Sequence, residues 1–224
     1  EAPIVKDKGA LIISGRRTYA DLFLRTQEDL KDTKLYFYDL NVKANYRIGE
    51  KDRIFLSGYF GRDRFALGDE FGVNWGNATG TLRWNHLFSK KLFSNTTIVY
   101  SDFDYEFNIG SGDEGFGIRS SIQDWNIKQD LTYFVNNNNN LKFGINVIHH
   151  TFKPGALTGE NESFNELILN ERYALELGAY IQNEMKIGSR FNIMYGLRYS
   201  GFNLMGDGDD TQFDGYTFDK QGNT

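Results

Sequence analysis

The chain of 224 residues is acidic and rich in aromatic residues and glycine, with a formal net charge of -5, 16% aromatic residues and 24 glycines. It has no cysteine, which excludes disulfides, thiolate metal sites and cysteine nucleophiles. The acidic balance gives no basic footprint for nucleic acid, so no nucleic acid partner is expected. No apolar run approaches the roughly 18 residues of a membrane helix, and no Ser/Pro tract separates two domains.

The N-terminal region predicts a turn, an extended segment and a helical turn. A charged turn at Lys6–Gly9 implies a strand before it, and the extended segment Ala10–Arg17 follows. Tyr19, Leu22 and Phe23 have the i, i+3, i+4 spacing of a short helical turn within a loop.

Three hairpins of one design come next. In each, two arms of alternating apolar and polar residues flank a short polar turn. The hairpins cover residues 35–64, 77–106 and 121–152. The third turn contains a run of asparagines, which we interpret as a turn because Asn tolerates positive φ.

Residues 173–201 form the most regular hairpin. Its odd-numbered positions are apolar or aromatic: Tyr173, Leu175, Leu177, Ala179, Ile181, Phe191, Ile193, Tyr195, Leu197 and Tyr199. Each arm has about 12 to 16 residues, whereas a globular strand has about 5 or 6 and a membrane-spanning barrel strand about 9 to 11. Tilted by about 40°, residues 191–199 rise about 21 Å, close to the apolar band of about 25 Å in outer-membrane barrels. The odd face is therefore predicted to meet lipid and the even face the lumen.

The connections alternate in length. Short turns lie near residues 7, 50, 90, 138 and 188, and long segments near 18–34, 62–76, 106–120, 154–172 and beyond 203. In one long segment, Ser163–Glu166 has the spacing of a capping box and predicts a short loop helix. Outer-membrane barrels show this asymmetry, with short periplasmic turns and long extracellular loops. The predicted fold is all-β: residues 1–224 form about nine strands of an antiparallel, up-and-down transmembrane β-barrel.

No enzymatic motif is present, and neither catalytic residues nor a cofactor are expected. His149 and His150 occupy adjacent strand positions on opposite faces, which favours a wet strand end over metal or haem capture. The acidic stretch with Asp207, Asp209 and Asp210 is a weak calcium candidate, because the glycine and distal glutamate of an EF-hand are missing. A solvated acidic loop is the favoured interpretation of that stretch.

Four charged residues on the predicted lumen face are the candidates for substrate binding: Lys43, Arg83, Glu176 and Arg198. Such residues either contact a plug or substrate, or simply solvate the lumen and pair with one another. The structural role is favoured, because any wide barrel needs a polar lumen.

Several stretches resemble a known family: Gly9–Leu22, Tyr36–Asn45, Phe55–Asp63, Trp75–Asn77 and Leu82–His86. They are similar to the barrel of TonB-dependent outer-membrane receptors, in the group whose barrel follows a carboxypeptidase-regulatory-like domain and a plug. The resemblance implies a 22-stranded barrel that is filled by a plug and opened through TonB. With about nine strands, no plug, no TonB box and no closing strand, the chain is expected to be a part of such a receptor.

The leading hypothesis is import of a scarce nutrient across the outer membrane of a Gram-negative bacterium by loop capture and plug gating. The substrate remains open among siderophore, haem, vitamin, peptide and glycan. The expected partners are outer-membrane lipid, the TonB complex through the plug, the small-molecule or oligomeric substrate and, as an open option, a surface lipoprotein. The alternatives are a passive barrel or adhesin without TonB and a soluble carbohydrate-binding β-sandwich. An enzyme is the least favoured class.

Overall fold

The computed structural model describes residues 2–24, 26–110, 115–159, 167–188 and 190–206, and nearly all of them belong to one antiparallel sheet. The strands are β1 (Ala2–Val5), β2 (Gly9–Arg17), β3 (Thr33–Arg47), β4 (Asp52–Leu67), β5 (Phe71–Leu87), β6 (Leu92–Ile109), β7 (Phe116–Asn136), β8 (Asn139–Gly159), β9 (Leu167–Ile168), β10 (Arg172–Ile187) and β11 (Phe191–Met205). A short helix α1 (Ala20–Leu24) and a 3-10 turn (Glu28–Leu30) lie between β2 and β3. Neither helical segment in the described part of the chain is long and apolar enough to cross a bilayer.

The sheet is up-and-down: strands pair in chain order from β1 to β11, except that β9 pairs only with β8. This topology confirms the predicted fold class and is consistent with a segment of a β-barrel. The nine long strands are the predicted ones, β1 is the strand that the charged turn at residues 6–9 implies, and β9 is a short addition. Helix α1 confirms the predicted helical turn.

Two of the predicted long connections are wrong. Strands β4 and β5 pair without interruption up to Leu67 and Phe71, so most of segment 62–76 is strand. Strands β6 and β7 likewise pair up to Ile109 and Phe116. The pattern of the band does not continue there. Arg62, Asn74 and Asp104 take positions that are apolar within the band, whereas Phe65, Phe71 and Phe107 pack together on the opposite face, although the backbone ladder continues.

The structure also differs from the prediction of a short loop helix beginning near residues 163–166. Residues 163–166 lie outside the described residues, and Leu167–Ile168 form strand β9 instead of a helix. At the opposite end of the sheet, the connections are short. Asp7 and Gly188 in two of these turns have φ angles of 61° and 62°, which turns of this tightness require.

The strand register divides the side chains into two faces. One row on the apolar face contains Leu11, Ala44, Leu56, Leu82, Ile98, Ile127, Val147 and Leu177. One row on the polar face contains Asn45, Phe55, Arg83, Thr97, Lys128, Asn146, Gly178 and Ser200. The division into an apolar and a polar face that was predicted for residues 173–201 thus extends from β2 to β11.

The sheet is a single layer without a dry core. Among the described residues, the only buried apolar side chains are Ala66 and Ala174, and no second sheet packs on the first. Leu177, Ile193 and Leu197 on the apolar face are exposed. A β-sandwich buries such residues between its two layers, so the described residues do not support the sandwich alternative.

The band of apolar residues runs obliquely across the sheet. On β3 the band covers Tyr36–Tyr46 with its midpoint at Asn41, and on β11 it covers Phe191–Tyr199 with its midpoint at Tyr195. Paired residues lead from Asn41 on β3, strand by strand, to Leu204 on β11, which is about seven strand steps away. The midpoint of the band on β11 is Tyr195, so over these steps the midpoint moves about nine positions towards the short turns. With spacings of about 3.4 Å per residue and 4.8 Å per strand, this shift corresponds to a tilt of about 42°. Strands of outer-membrane barrels are tilted by about 35 to 45°.

Candidate functional site

The four charged candidates all lie on the polar face but do not form one cluster. Lys43 and Glu176 occupy the same register row six strand steps apart, which is about 29 Å. Arg83 is in register with Gly178 four steps away, about 19 Å. Only Glu176 and Arg198 lie on neighbouring strands. Their role in substrate binding stays a prediction.

A cavity of 530 Å³ lies where β7, β8, β10 and β11 adjoin, and its lining includes Lys128, Lys142, Tyr180 and Arg198. We call these four residues the cationic pocket. Their side chains share the polar face, since Asp130, Gly144, Tyr180 and Arg198 are in register and Lys128 and Lys142 lie two positions from that row.

Glycines let the larger side chains of the cationic pocket lie flat on the sheet. A Cβ added to Gly144 would be 2.8 Å from Cε1 of Tyr180, so the Tyr180 ring covers the backbone there. A Cβ added to Gly178 would be 3.2 Å from a guanidinium nitrogen of Arg198. Any larger residue at these two positions therefore displaces a pocket side chain.

The cationic pocket has an excess of positive charge. Asp130 accepts a hydrogen bond of 2.6 Å from the Tyr180 hydroxyl and pairs with the Lys128 ammonium at 3.2 Å. Lys142 and Arg198 have no carboxylate partner among the described residues, and Arg198 donates only to the Ser200 hydroxyl at 3.2 Å. Such an arrangement attracts carboxylate, phosphate or other anionic oxygens.

A second polar cluster centres on His150. Its Nδ1 is 2.7 Å from Asp124 Oδ1, its Nε2 is 3.9 Å from Glu176 Oε2, and its ring stacks on Phe152 at 5.6 Å. His149 instead lies on the apolar face beside Tyr173, so the two histidines face opposite sides as predicted.

Within the described part of the chain, no group of three His, Cys, Asp or Glu residues is placed to hold a metal ion. The weak metal candidates Asp207, Asp209 and Asp210 lie outside the described residues.

The polar face also has amide oxygens that need further partners. In the described residues, four buried asparagine oxygens have no hydrogen-bond partner: those of Asn85, Asn95, Asn126 and Asn146. Buried polar atoms of this kind require water or a polar partner. The polar face is therefore suited to contact water or another polar surface.

Sequence reasoning missed Lys128, Lys142 and Tyr180. The turn between β7 and β8 was located, but a register shift between Phe134 and Asn136 places Lys142 opposite Thr132, one position from where regular counting outward from the turn would put it. Gly144 was a further signal, because glycine inside a strand often marks a close approach of another group.

The fold and its two faces define a class: an up-and-down sheet of tilted long strands with one apolar and one polar face, as in a segment of a β-barrel. No protein-family model and no curated protein matches the chain. A solved structure similar to it is BauA, the ferric preacinetobactin receptor from Acinetobacter baumannii, with a TM-score of 0.52 and 10% sequence identity. The similarity covers 90% of this chain and 43% of the receptor chain, so this chain spans less than half of the receptor. At this level of identity, the likeness shows a shared fold.

Proposed function

We propose that the chain is part of a TonB-dependent receptor that imports a scarce nutrient across the outer membrane. The observation that carries the proposal is the single-layered sheet with its uncovered, oblique apolar band. Soluble monomers rarely expose apolar patches larger than a few hundred Å². In a barrel, acyl chains cover such a band, and the polar face lines the lumen.

In this proposal, the strand ends and connections beyond the band capture the ligand, and a plug in the lumen rearranges to let it pass. The cationic pocket and the His150 cluster offer hydrogen bonds and charge to the plug or the substrate. The chain itself carries out no covalent chemistry. The fold that it shares with part of a ferric siderophore receptor supports a receptor role. The candidates for the cargo are a siderophore, haem, a vitamin, a peptide or a glycan.

The resemblance to receptors with a carboxypeptidase-regulatory-like domain and a plug supplies the proposed partners. They are the TonB complex, reached through the plug, and outer-membrane lipid, with a surface lipoprotein as an option for large cargo.

Tryptophan quenching by lipid tests the membrane orientation. Thr81 and Leu82 are adjacent on β5 and therefore lie at the same depth on opposite faces. Thr81→Trp and Leu82→Trp are introduced separately into full-length protein that has no other tryptophan, in vesicles with brominated acyl chains. We expect quenching of the tryptophan at position 82 and little quenching at position 81. Equal quenching at both positions contradicts the proposed orientation.

Energy dependence separates active import from the alternative, a passive barrel or adhesin. Cells that express the full-length protein are compared with and without a functional TonB complex, with uptake of candidate iron chelates, haem, vitamins, peptides and glycans as the measurement. Uptake that requires TonB supports the receptor. Uptake that is unchanged without TonB supports the passive barrel, and surface binding without any uptake supports the adhesin.

A further inference from the structure

Basic and aromatic side chains lie on the apolar-face side of the sheet, at the end away from the short turns. In the register, Arg17 lies opposite Tyr38, Tyr36 opposite Arg64, and Lys34 opposite Ala66. We call Arg17, Lys34, Arg64, Tyr36 and Tyr38 the outer rim patch. These residues have the same parity as the apolar residues below them on their strands, so they share that face.

Aromatic rings form the base of the outer rim patch. The Arg17 guanidinium lies 5.4 Å from the ring centroid of Tyr36 and 5.7 Å from that of Tyr19, and it pairs with Asp21 at 3.3 Å. Tyr36 stacks on Tyr38 with 6.4 Å between the ring centroids. Despite these contacts the Arg17 side chain is 46% exposed, so part of its guanidinium is accessible from outside.

Two cations of the patch are not neutralised by any carboxylate in the part of the chain that the structure describes. Lys34 and Arg64 are exposed, and in the described residues neither has a carboxylate partner. The neighbouring Arg62 differs, because its guanidinium crosses Gly76 and binds Asp104 at 2.7 Å. Lys34 and Arg64 therefore remain available to an external anion.

Helix α1 adds an apolar surface beside these charges. Leu22 and Phe23 are 51% and 76% exposed. The helix adjoins the outer rim patch, because Asp21 on α1 pairs with Arg17. Exposed aromatic and apolar residues beside arginine and lysine are typical of segments at the level of lipid headgroups.

We propose that the outer rim patch binds the phosphate group of an anionic membrane lipid. The acyl chains of that lipid lie on the apolar band directly below, against Leu40, Val42 and Phe60. This continuity of charge above and apolar surface beneath selects a lipid over free phosphate. The inference rests on the proposed insertion in a membrane and adds a specific lipid contact to it.

The test compares spin-labelled phosphatidic acid with spin-labelled diacylglycerol of the same chains, each added to phosphatidylcholine vesicles that contain the full-length protein. The measurement is the association constant of each lipid at the protein surface. We expect a preference for phosphatidic acid, and the Lys34→Gln/Arg64→Gln variant reduces it roughly fivefold or more, since each basic residue near a membrane surface contributes about a factor of five. Lys43→Gln is the matched control, because it removes a charge from the polar face of β3 and leaves the preference unchanged.

Three results overturn the inference: an undiminished preference in the double variant, an equal loss in the Lys43→Gln control, or displacement of the lipid by millimolar inorganic phosphate. Both substituted side chains are exposed and have no ion-pair partner within the described ranges, so the double variant is expected to fold. Tryptophan quenching distinguishes the two proposals. A protein that fails to insert defeats both, whereas an inserted protein without preference for phosphatidic acid defeats only the lipid site.

Discussion

Placing a lysine on each face of β11 measures directly what the two faces contact. Leu197 on the apolar face is 80% exposed, and Met194 on the polar face is 66% exposed. If both faces met water, Leu197→Lys and Met194→Lys would each change the free energy of unfolding by at most about 0.5 kcal/mol. On the lipid face of a barrel, a lysine near the bilayer midplane costs about 2–4 kcal/mol. The expected difference between the variants is thus about 30-fold to 900-fold in the unfolding equilibrium constant.

Reversible urea unfolding of the full-length protein in lipid vesicles, followed by tryptophan emission, supplies the two free energies. Leu197→Gln serves as a control that removes the apolar side chain without adding charge. We expect the order of stability to be wild type and Met194→Lys first, then Leu197→Gln, then Leu197→Lys. Equal stability of the two lysine variants would refute the assignment of Leu197 to lipid.

Two further substitutions test local features. Gly144→Ala is expected to destabilise the protein by about 1–3 kcal/mol in the same titration through overpacking, because its Cβ would lie 2.6 Å from the Gln129 carbonyl and 2.8 Å from the Tyr180 ring. Gly80→Ala is the control, since a Cβ there meets nothing within 4 Å; equal costs would contradict the close approach at Gly144. A hydrogen bond from Tyr173, and to a smaller extent one from Lys153, lowers the pKa of Glu171. The contribution of this carboxylate to the stability of the folded state is therefore complete above its ordinary pKa and is lost as the pH falls through the lowered pKa. The measurement is amide exchange at residues 169–172, corrected for its intrinsic pH dependence. We expect protection to fall in acid, and we expect Glu171→Gln to abolish this fall. If the variant keeps the same fall in acid, the Glu171 carboxylate is not its cause.

The sequence predicted the fold where the two faces of a strand differ in polarity. Alternation at Leu175, Leu177 and Ile193 was sufficient to locate the last hairpin and to assign its faces. It failed at Arg62 and at Asn74, where strands β4 and β5 continue beyond the apolar band. Polar residues there take the positions that are apolar within the band, and Phe65 and Phe71 lie on the opposite face. A search for one continuous apolar face therefore locates the apolar band, whereas the ends of the strands follow from the backbone pairing.

The candidate site was only partly predictable for a different reason. Local alternation was sufficient to assign Glu176 and Arg198 to the polar face of the sheet, and the structure places both side chains there. The cationic pocket brings Lys128, Lys142 and Tyr180 together from three strands, and their proximity depends on the register between those strands. A single sequence specifies that register only where a short turn is followed by a regular ladder, as between β3 and β4, whereas the ladder of β7 and β8 has a register shift beside its turn.

The hairpin of β7 and β8 is longer than a bilayer requires. Each strand has 21 residues, whereas about 9 to 11 suffice to cross. In the proposed membrane orientation, the remaining ten or so residues account for about 25 Å of extra height at the tilt of the band. A hydrogen-bonded ladder at that height is stiff, so a ligand that docks on it orders little additional chain and loses less binding free energy to entropy. In the proposed receptor, this ladder is therefore a rigid surface on which the residues that contact a dilute ligand are in position before it binds.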